Sequence, residues 1–183
     1  MPKFTFSLCV YFNNDTQRYF FESHYEDVSE PLKEYNVGDD DSLYETATSQ
    51  TLLGVKINGC WGWVDSNNMF VIQPVYDSGF ATCYNGIITL IRNGKWGGIY
   101  RRNGSIAFSF RYSQLILAYR ETYVARNSIN KCALVKPGDR MLTSYCYRGF
   151  SIYKRGAITE YVKLGFFGES KGEIDLETGQ ELW

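Results

Sequence analysis

Val55–Tyr76 reads V-K-I-N-G-C-W-G-W-V-D-S-N-N-M-F-V-I-Q-P-V-Y, two β-type runs around a Trp-Gly core and an Asn-Asn turn. The same pattern returns at Ile91–Tyr112 as I-R-N-G-K-W-G-G-I-Y-R-R-N-G-S-I-A-F-S-F-R-Y. Trp61 and Trp96 are 35 residues apart, and Tyr76 and Tyr112 are 36 apart. A self-similar period of that size marks an array, or a propeller-like arrangement, of one supersecondary unit. The chain is therefore expected to be all-β, built of tandem hairpin-based units about 35 residues long.

The two copies align position by position. Gly59–Asp65 matches Gly94–Tyr100, and a turn follows each, Asn67-Asn68 and then Asn103-Gly104. Asn-Gly between β-type runs is the strongest short hairpin signal, because a type I′ turn needs positive φ at both central residues. Met69–Ile72 and Ser105–Ser109 are the next strands, and Gly86–Ile91 and Thr122–Arg126 lead into the following units. This pattern resembles the WG repeat family, bacterial proteins built from units like G-x-W-G-Y-I-D-x-x-G-x-x-V-I-x-P-x-Y-D. The first copy carries Trp61, Gly62, Asp65, Ile72, Pro74, Tyr76 and Asp77 of that motif. The second keeps Trp96, Gly97, Ile99, Gly104 and Tyr112, with Tyr100 and Phe110 in place of Asp and Pro.

Two degenerate units continue the series. Cys132 stands 36 residues after Trp96, Tyr147 stands 35 after Tyr112, and Lys171 occupies the last Trp slot. The array is thus expected over 53–183, with units near 55–90, 91–126, 127–164 and 165–183, preceded by a cap at 1–52. In the cap, Phe4–Phe12 and Gln17–Glu22 suit a β-hairpin across the Asn13-Asn14-Asp15 turn. Ser29-Glu30-Pro31 has the character of a helix start, and Gly38–Ser42 that of an acidic loop. A unit of this length cannot bury its own aromatic face, so stacking must bury it. Trp61, Gly62, Tyr76, Trp96, Gly97 and Tyr112 are accordingly read as the structural core of the repeats. The glycines are expected to permit a close backbone approach or an unusual φ.

Composition narrows the function classes. With 44% hydrophobic and 17% aromatic residues among 183, the chain can bury a real core. No apolar run reaches the roughly 18 residues of a membrane helix. The N-terminus has no signal-peptide core, so a cytoplasmic protein without a membrane role is expected. The five cysteines form no C-x-x-C pair, which leaves small buried thiols and no zinc or redox site. The acidic loop lacks EF-hand spacing, so no metal and no cofactor are expected.

His24 is the one histidine. No nucleophile elbow or phosphate-binding glycine loop accompanies it, so the chain reads as a non-enzyme. Charge is divided along the chain: three basic and ten acidic groups in 1–45, sixteen and ten in 46–183. Arg101, Arg102, Arg111, Arg120, Arg126, Arg148, Lys154 and Arg155 punctuate the array, several beside tyrosines, as in Tyr100-Arg101, Arg111-Tyr112, Tyr147-Arg148 and Tyr153-Lys154. Arg101, Arg102, Arg111, Tyr112, Arg120 and Arg148 are the candidate binding residues. Cation–aromatic pairs serve a protein interface, single-stranded nucleic acid or a nucleotide, or plain cross-strand packing. The leading expectation is a protein-binding module, in a narrower version an immunity or inhibitor protein acting through the acidic segment. Nucleic-acid or nucleotide binding is the second, and a hydrolase using carboxylates such as Glu173 and Asp175, or His24, is the third.

Overall fold

Asn-Gly pairs set the hairpins. Asn58-Gly59, Asn85-Gly86 and Asn93-Gly94 each place both residues at positive φ, with values of 51/78°, 49/74° and 52/68°. These are the dihedral signs that type I′ turns demand, and their twist matches that of the strands they join. The computed structural model describes residues 8–9, 22–23, 25–37, 43–45, 51–78, 81–151, 156–165 and 168–182. Among these residues there are twenty strands and no helix.

β1 (Leu8–Cys9) and β2 (Glu22–Ser23) pair antiparallel. β3 (Asp27–Pro31), β4 (Glu34–Val37) and β5 (Leu43–Glu45) follow. The first Trp-Gly unit forms β6 (Leu53–Ile57), β7 (Cys60–Val64) and β8 (Phe70–Tyr76). The second is β9 (Thr82–Tyr84), β10 (Ile87–Arg92), β11 (Lys95–Tyr100) and β12 (Ile106–Tyr112). Next come β13 (Gln114–Tyr119), β14 (Thr122–Arg126), β15 (Cys132–Lys136), β16 (Arg140–Met141) and β17 (Tyr147–Phe150). β18 (Ile158–Gly165), β19 (Gly168–Asp175) and β20 (Glu181–Leu182) end the series. Three larger sheets result, with strand orders β3-β6-β7-β8, β12-β11-β10-β9-β4-β5 and β13-β14-β15-β17-β18-β19-β20, β16 pairing with β15.

The Trp and Tyr positions meet across the ladders. Trp61 pairs with Tyr76, Trp96 with Tyr112 and Cys132 with Tyr147. A register shift follows each tryptophan, between Trp61 and Trp63 and between Trp96 and Gly98. Gly62 and Gly97 sit in these bulges. A Cβ on Gly62 would lie 2.7 Å from the Ile72 carbonyl oxygen, and one on Gly97 2.9 Å from that of Phe108. Close backbone approach is thus what these glycines permit, not a positive φ.

Buried side chains lie between the sheets. Trp63, Ile72 and Tyr76 of the first sheet face Cys83, Ile88, Leu90 and Ile99 of the second. Phe108 and Tyr112 of the second face Leu115, Tyr123 and Val135 of the third. Tyr119, Leu134, Tyr147, Tyr161 and Ile174 form a further cluster within the third sheet. Trp61 and Trp96 only border these clusters, half-buried, whereas Tyr76 and Tyr112 are buried and Trp63 is 1% exposed. The fully buried tryptophan therefore follows the Trp-Gly pair of the first unit instead of belonging to it.

Three more expectations are corrected. Ser29–Pro31 starts no helix: Val28 pairs with Val55 and Pro31 with Leu53, so the ladder to β6 overrides the local cap signal. Pro31 is tolerated because it ends an edge strand of its sheet. Asn103-Gly104 is not a type I′ turn. Gly104 alone takes positive φ, and its N–H donates to the Tyr100 carbonyl in a wider loop. β3 and β4 are also woven into the array, beside β6 and parallel to β9, so no break in pairing marks residue 52, while β1 and β2 pair with each other in a sheet of their own. Phe4, the Asn13–Asp15 turn, His24 and the loop at 38–42 lie outside the described residues, as do Tyr153, Lys154 and Arg155.

Candidate functional site

Strand alternation along β12 decides which way its last residues face. Tyr112 turns inward, 1% exposed, and Arg111 turns outward with 55% of its side chain exposed. The β15–β16 hairpin docks beside them. Its turn residues Gly138 and Asp139 both take positive φ, 79° and 56°. The Gly138 N–H donates to the Ala107 carbonyl at 2.7 Å, which brings the turn against β12.

Asp139 then becomes the joint between the two sheets. Its carboxylate accepts from the Ser109 N–H at 3.2 Å, from Tyr112 Oη at 2.5 Å and from the Ser109 hydroxyl, and Arg111 Nη2 stands 3.7 Å away. Burial pushes the Asp139 carboxyl up, but these hydrogen bonds and the Arg111 charge outweigh it and hold the group below the usual carboxylate value. Burial, then the bond to Asp139, pushes the Tyr112 hydroxyl far above its ordinary value.

Past β16 the chain runs back along β15. The Leu142 N–H donates to the Leu134 carbonyl at 2.9 Å, and the Leu134 N–H donates to Thr143 Oγ1 at 3.0 Å. Between this segment and β12 opens a cleft of about 780 Å³. Its apolar lining is Met141, Leu142 and the rings of Tyr112 and Tyr145, and Arg111 is its one charged residue. Asn127, Ser128, Thr143 and Ser144 complete it, so no carboxylate lines it. Met141 is 39% exposed, an apolar side chain left to solvent.

The structure joins Arg111 and Tyr112 and separates the other candidates. The Arg101 side chain is only 12% exposed and forms an ion pair with Glu34 at 3.6 Å, so it is not a surface cation. Arg102 lies over the Tyr100 ring at 5.6 Å. Arg120 lies over Tyr119 and pairs with Glu177 at 3.3 Å. Arg148 pairs with Glu169. Arg102, Arg111 and Arg120 thus lie over tyrosines one or two residues away in the chain, and Arg101, Arg120 and Arg148 are closed by acid partners. Glu34 also brings the acidic segment onto the basic array.

Other polar clusters are committed to structure. Glu181 accepts from Tyr147 Oη at 2.6 Å, Tyr161 Oη at 2.9 Å and Lys163 Nζ, which ties β20 to β17 and β18. Asp175 Oδ1 accepts from the N–H groups of Glu177 and Thr178 at 2.8 Å, shaping the β19–β20 turn. Burial pushes the Cys83 thiol up to about 12. No group of three metal-ligating side chains occurs among the described residues.

Sequence reasoning missed Met141, Leu142, Tyr145 and Asp139. Their only signal was Gly138-Asp139 as a turn pair, since the docking that builds the cleft joins residues about thirty apart.

No family model matches the chain, and no curated protein matches it. Among solved structures, that of BamB from Moraxella catarrhalis aligns over 81% of this chain and 48% of its own, at 10% identity and a TM-score of 0.42. The WD40 β-propeller domain of Doa1 aligns over 81% and 52%, at 10% identity and a TM-score of 0.36. The chain spans about half the length of each.

Proposed function

We propose that this chain is a non-catalytic binding module, built of units repeating about every 35 residues, whose protein partner docks in the cleft beside Arg111 and Met141. The observation that carries this reading is the cleft's composition, one outward cation among Met, Leu and Tyr side chains, with no acid–base pair lining it. Tyr, Met and Arg are the residue types enriched at protein interfaces. The matching registers of Trp61 with Tyr76, Trp96 with Tyr112 and Cys132 with Tyr147 support the repeat period. The motif residues of the first two units, Trp61, Gly62, Pro74, Tyr76 and Asp77 and then Trp96, Gly97 and Tyr112, support the resemblance to the WG repeat family.

Affinity capture from a bacterial lysate, with and without nuclease, tests the function. Tagged wild type should retain a stoichiometric protein that survives nuclease and is lost in Met141→Ser. Capture that disappears with nuclease, or that Met141→Ser leaves intact, would overturn the reading.

A further inference from the structure

We infer that the occupant of this cleft is an acidic peptide segment with one large apolar side chain, its carboxylate set on Arg111 and its apolar group against Met141, Leu142 and Tyr145. The inference rests on the proposed binding role of the cleft and adds the chemistry of what it takes.

Arg111 offers five N–H donors in a planar fork. One of them donates to Tyr112 Oη at 3.4 Å, and the nearest carboxylate oxygen, on Asp139, is at 3.7 Å. Asp139 is already occupied by Ser109 and Tyr112. The fork therefore keeps donors for an incoming carboxylate, which takes two of them in a bidentate pair. Its head is also held in place, 5.3 Å over the Tyr112 ring, so little freedom is lost when an anion arrives.

The cleft lining carries the same sign. Arg111 is its one charged side chain and no carboxylate lines it, Asp139 beside it being taken up by Ser109 and Tyr112. An acidic segment is steered toward such a field and a basic one away from it. The apolar lining then asks for more than charge, since a hydrophilic anion would leave Met141 exposed. Nucleic acid fits less well. It needs several cations along a backbone track and open aromatic faces for stacking. Here one cation lines the cleft and the Tyr112 ring is 1% exposed.

Selection of a displayed random dodecapeptide library on the full chain, followed by fluorescence anisotropy of the enriched peptides, tests this. Enriched sequences should place Asp or Glu within a few residues of Leu, Phe or Met. Arg111→Gln and Met141→Ser, both outward-facing and checked for an unchanged melting temperature, should each weaken binding about fivefold to tenfold, the effect of losing roughly 1 kcal/mol. Arg111→Lys should recover part of the loss. Enriched peptides that are basic or uncharged, and bind Arg111→Gln like wild type while Met141→Ser weakens them, would overturn the acidic chemistry and leave the cleft. Peptides indifferent to both substitutions, no enrichment, or displacement of bound peptide by an oligo-dT strand would overturn the cleft as a peptide site altogether.

Discussion

Trp63 lies 1% exposed in the cluster between the first two sheets, its ring centroid 6.0 Å from that of Tyr76. Truncating it leaves a large cavity, so Trp63→Ala should lower stability by about 3–5 kcal/mol in chemical denaturation. Trp61 and Trp96, half-buried, should lose roughly 1–3 kcal/mol each as alanine. Equal losses at the three positions would contradict the assignment of the core. Tyr123 supplies a test of opposite sign. It is 1% exposed against Phe108, and its hydroxyl has no hydrogen-bond partner among the described residues. Tyr123→Phe removes an unpaired buried polar atom and should leave stability unchanged or raise it by about 1 kcal/mol. A loss above that size would reveal a partner for the hydroxyl. The motif residues were legible because their spacing repeats. Their burial was not, because the bulge at Gly62 decides which neighbour of the Trp-Gly pair turns inward.

At the scale of the element, the β15–β16 hairpin is fastened by the side chain of Asp139. Asp139→Ala leaves Tyr112 Oη and the Ser109 N–H without their acceptor inside an interface and should cost about 1–3 kcal/mol. Asn tolerates the positive φ at this position and keeps one acceptor, so Asp139→Asn should cost less. An Asn variant no better than Ala would mean that charge, not geometry, holds the hairpin. Similar joints recur elsewhere. Asp77 accepts from the Gly94 N–H at 2.7 Å, and Ser113 Oγ donates to the Asn127 carbonyl at 2.7 Å. Hairpins were legible in Asn-Gly pairs and β-type runs. β9 and β13 were not, since both read as connections, although Leu115, Leu117 and Tyr119 alternate as a half-buried strand does. The helix expected at Ser29 failed because a short cap signal says nothing of the partner strand waiting at β6.

Across the whole molecule, acid groups with lowered pKa stitch sheets and strands together. In Asp139 and Glu181 burial raises the carboxyl, and hydrogen bonds outweigh it: from Ser109 and Tyr112 in the first, from Lys163, Tyr147 and Tyr161 in the second. A carboxyl lowered on folding contributes stability that is present above its unfolded value, about 4, and is lost as pH falls through the lowered value. The melting temperature should therefore fall below about pH 4, less steeply in Glu181→Gln. Burial raises the hydroxyls of Tyr112, Tyr123 and Tyr147, so the opposite sign applies there. Their contribution is complete below the unfolded tyrosine value, about 10, and is lost as pH rises past it. A melting temperature flat from pH 3 to 11 would contradict both. The candidate arginines were legible as residues, but their acid partners lie far along the chain, as Glu177 does from Arg120, and spacing does not reveal them.

The central claim is that the partner sits in the cleft between β12 and the 141–145 segment. Hydrogen exchange on the captured complex measures this most directly. The amides of 109–112 and 141–145 should exchange more slowly in the complex than in the free chain, while those of 25–37 keep their rates. Slowing confined to 25–37, or to any surface away from Arg111 and Met141, would contradict the account.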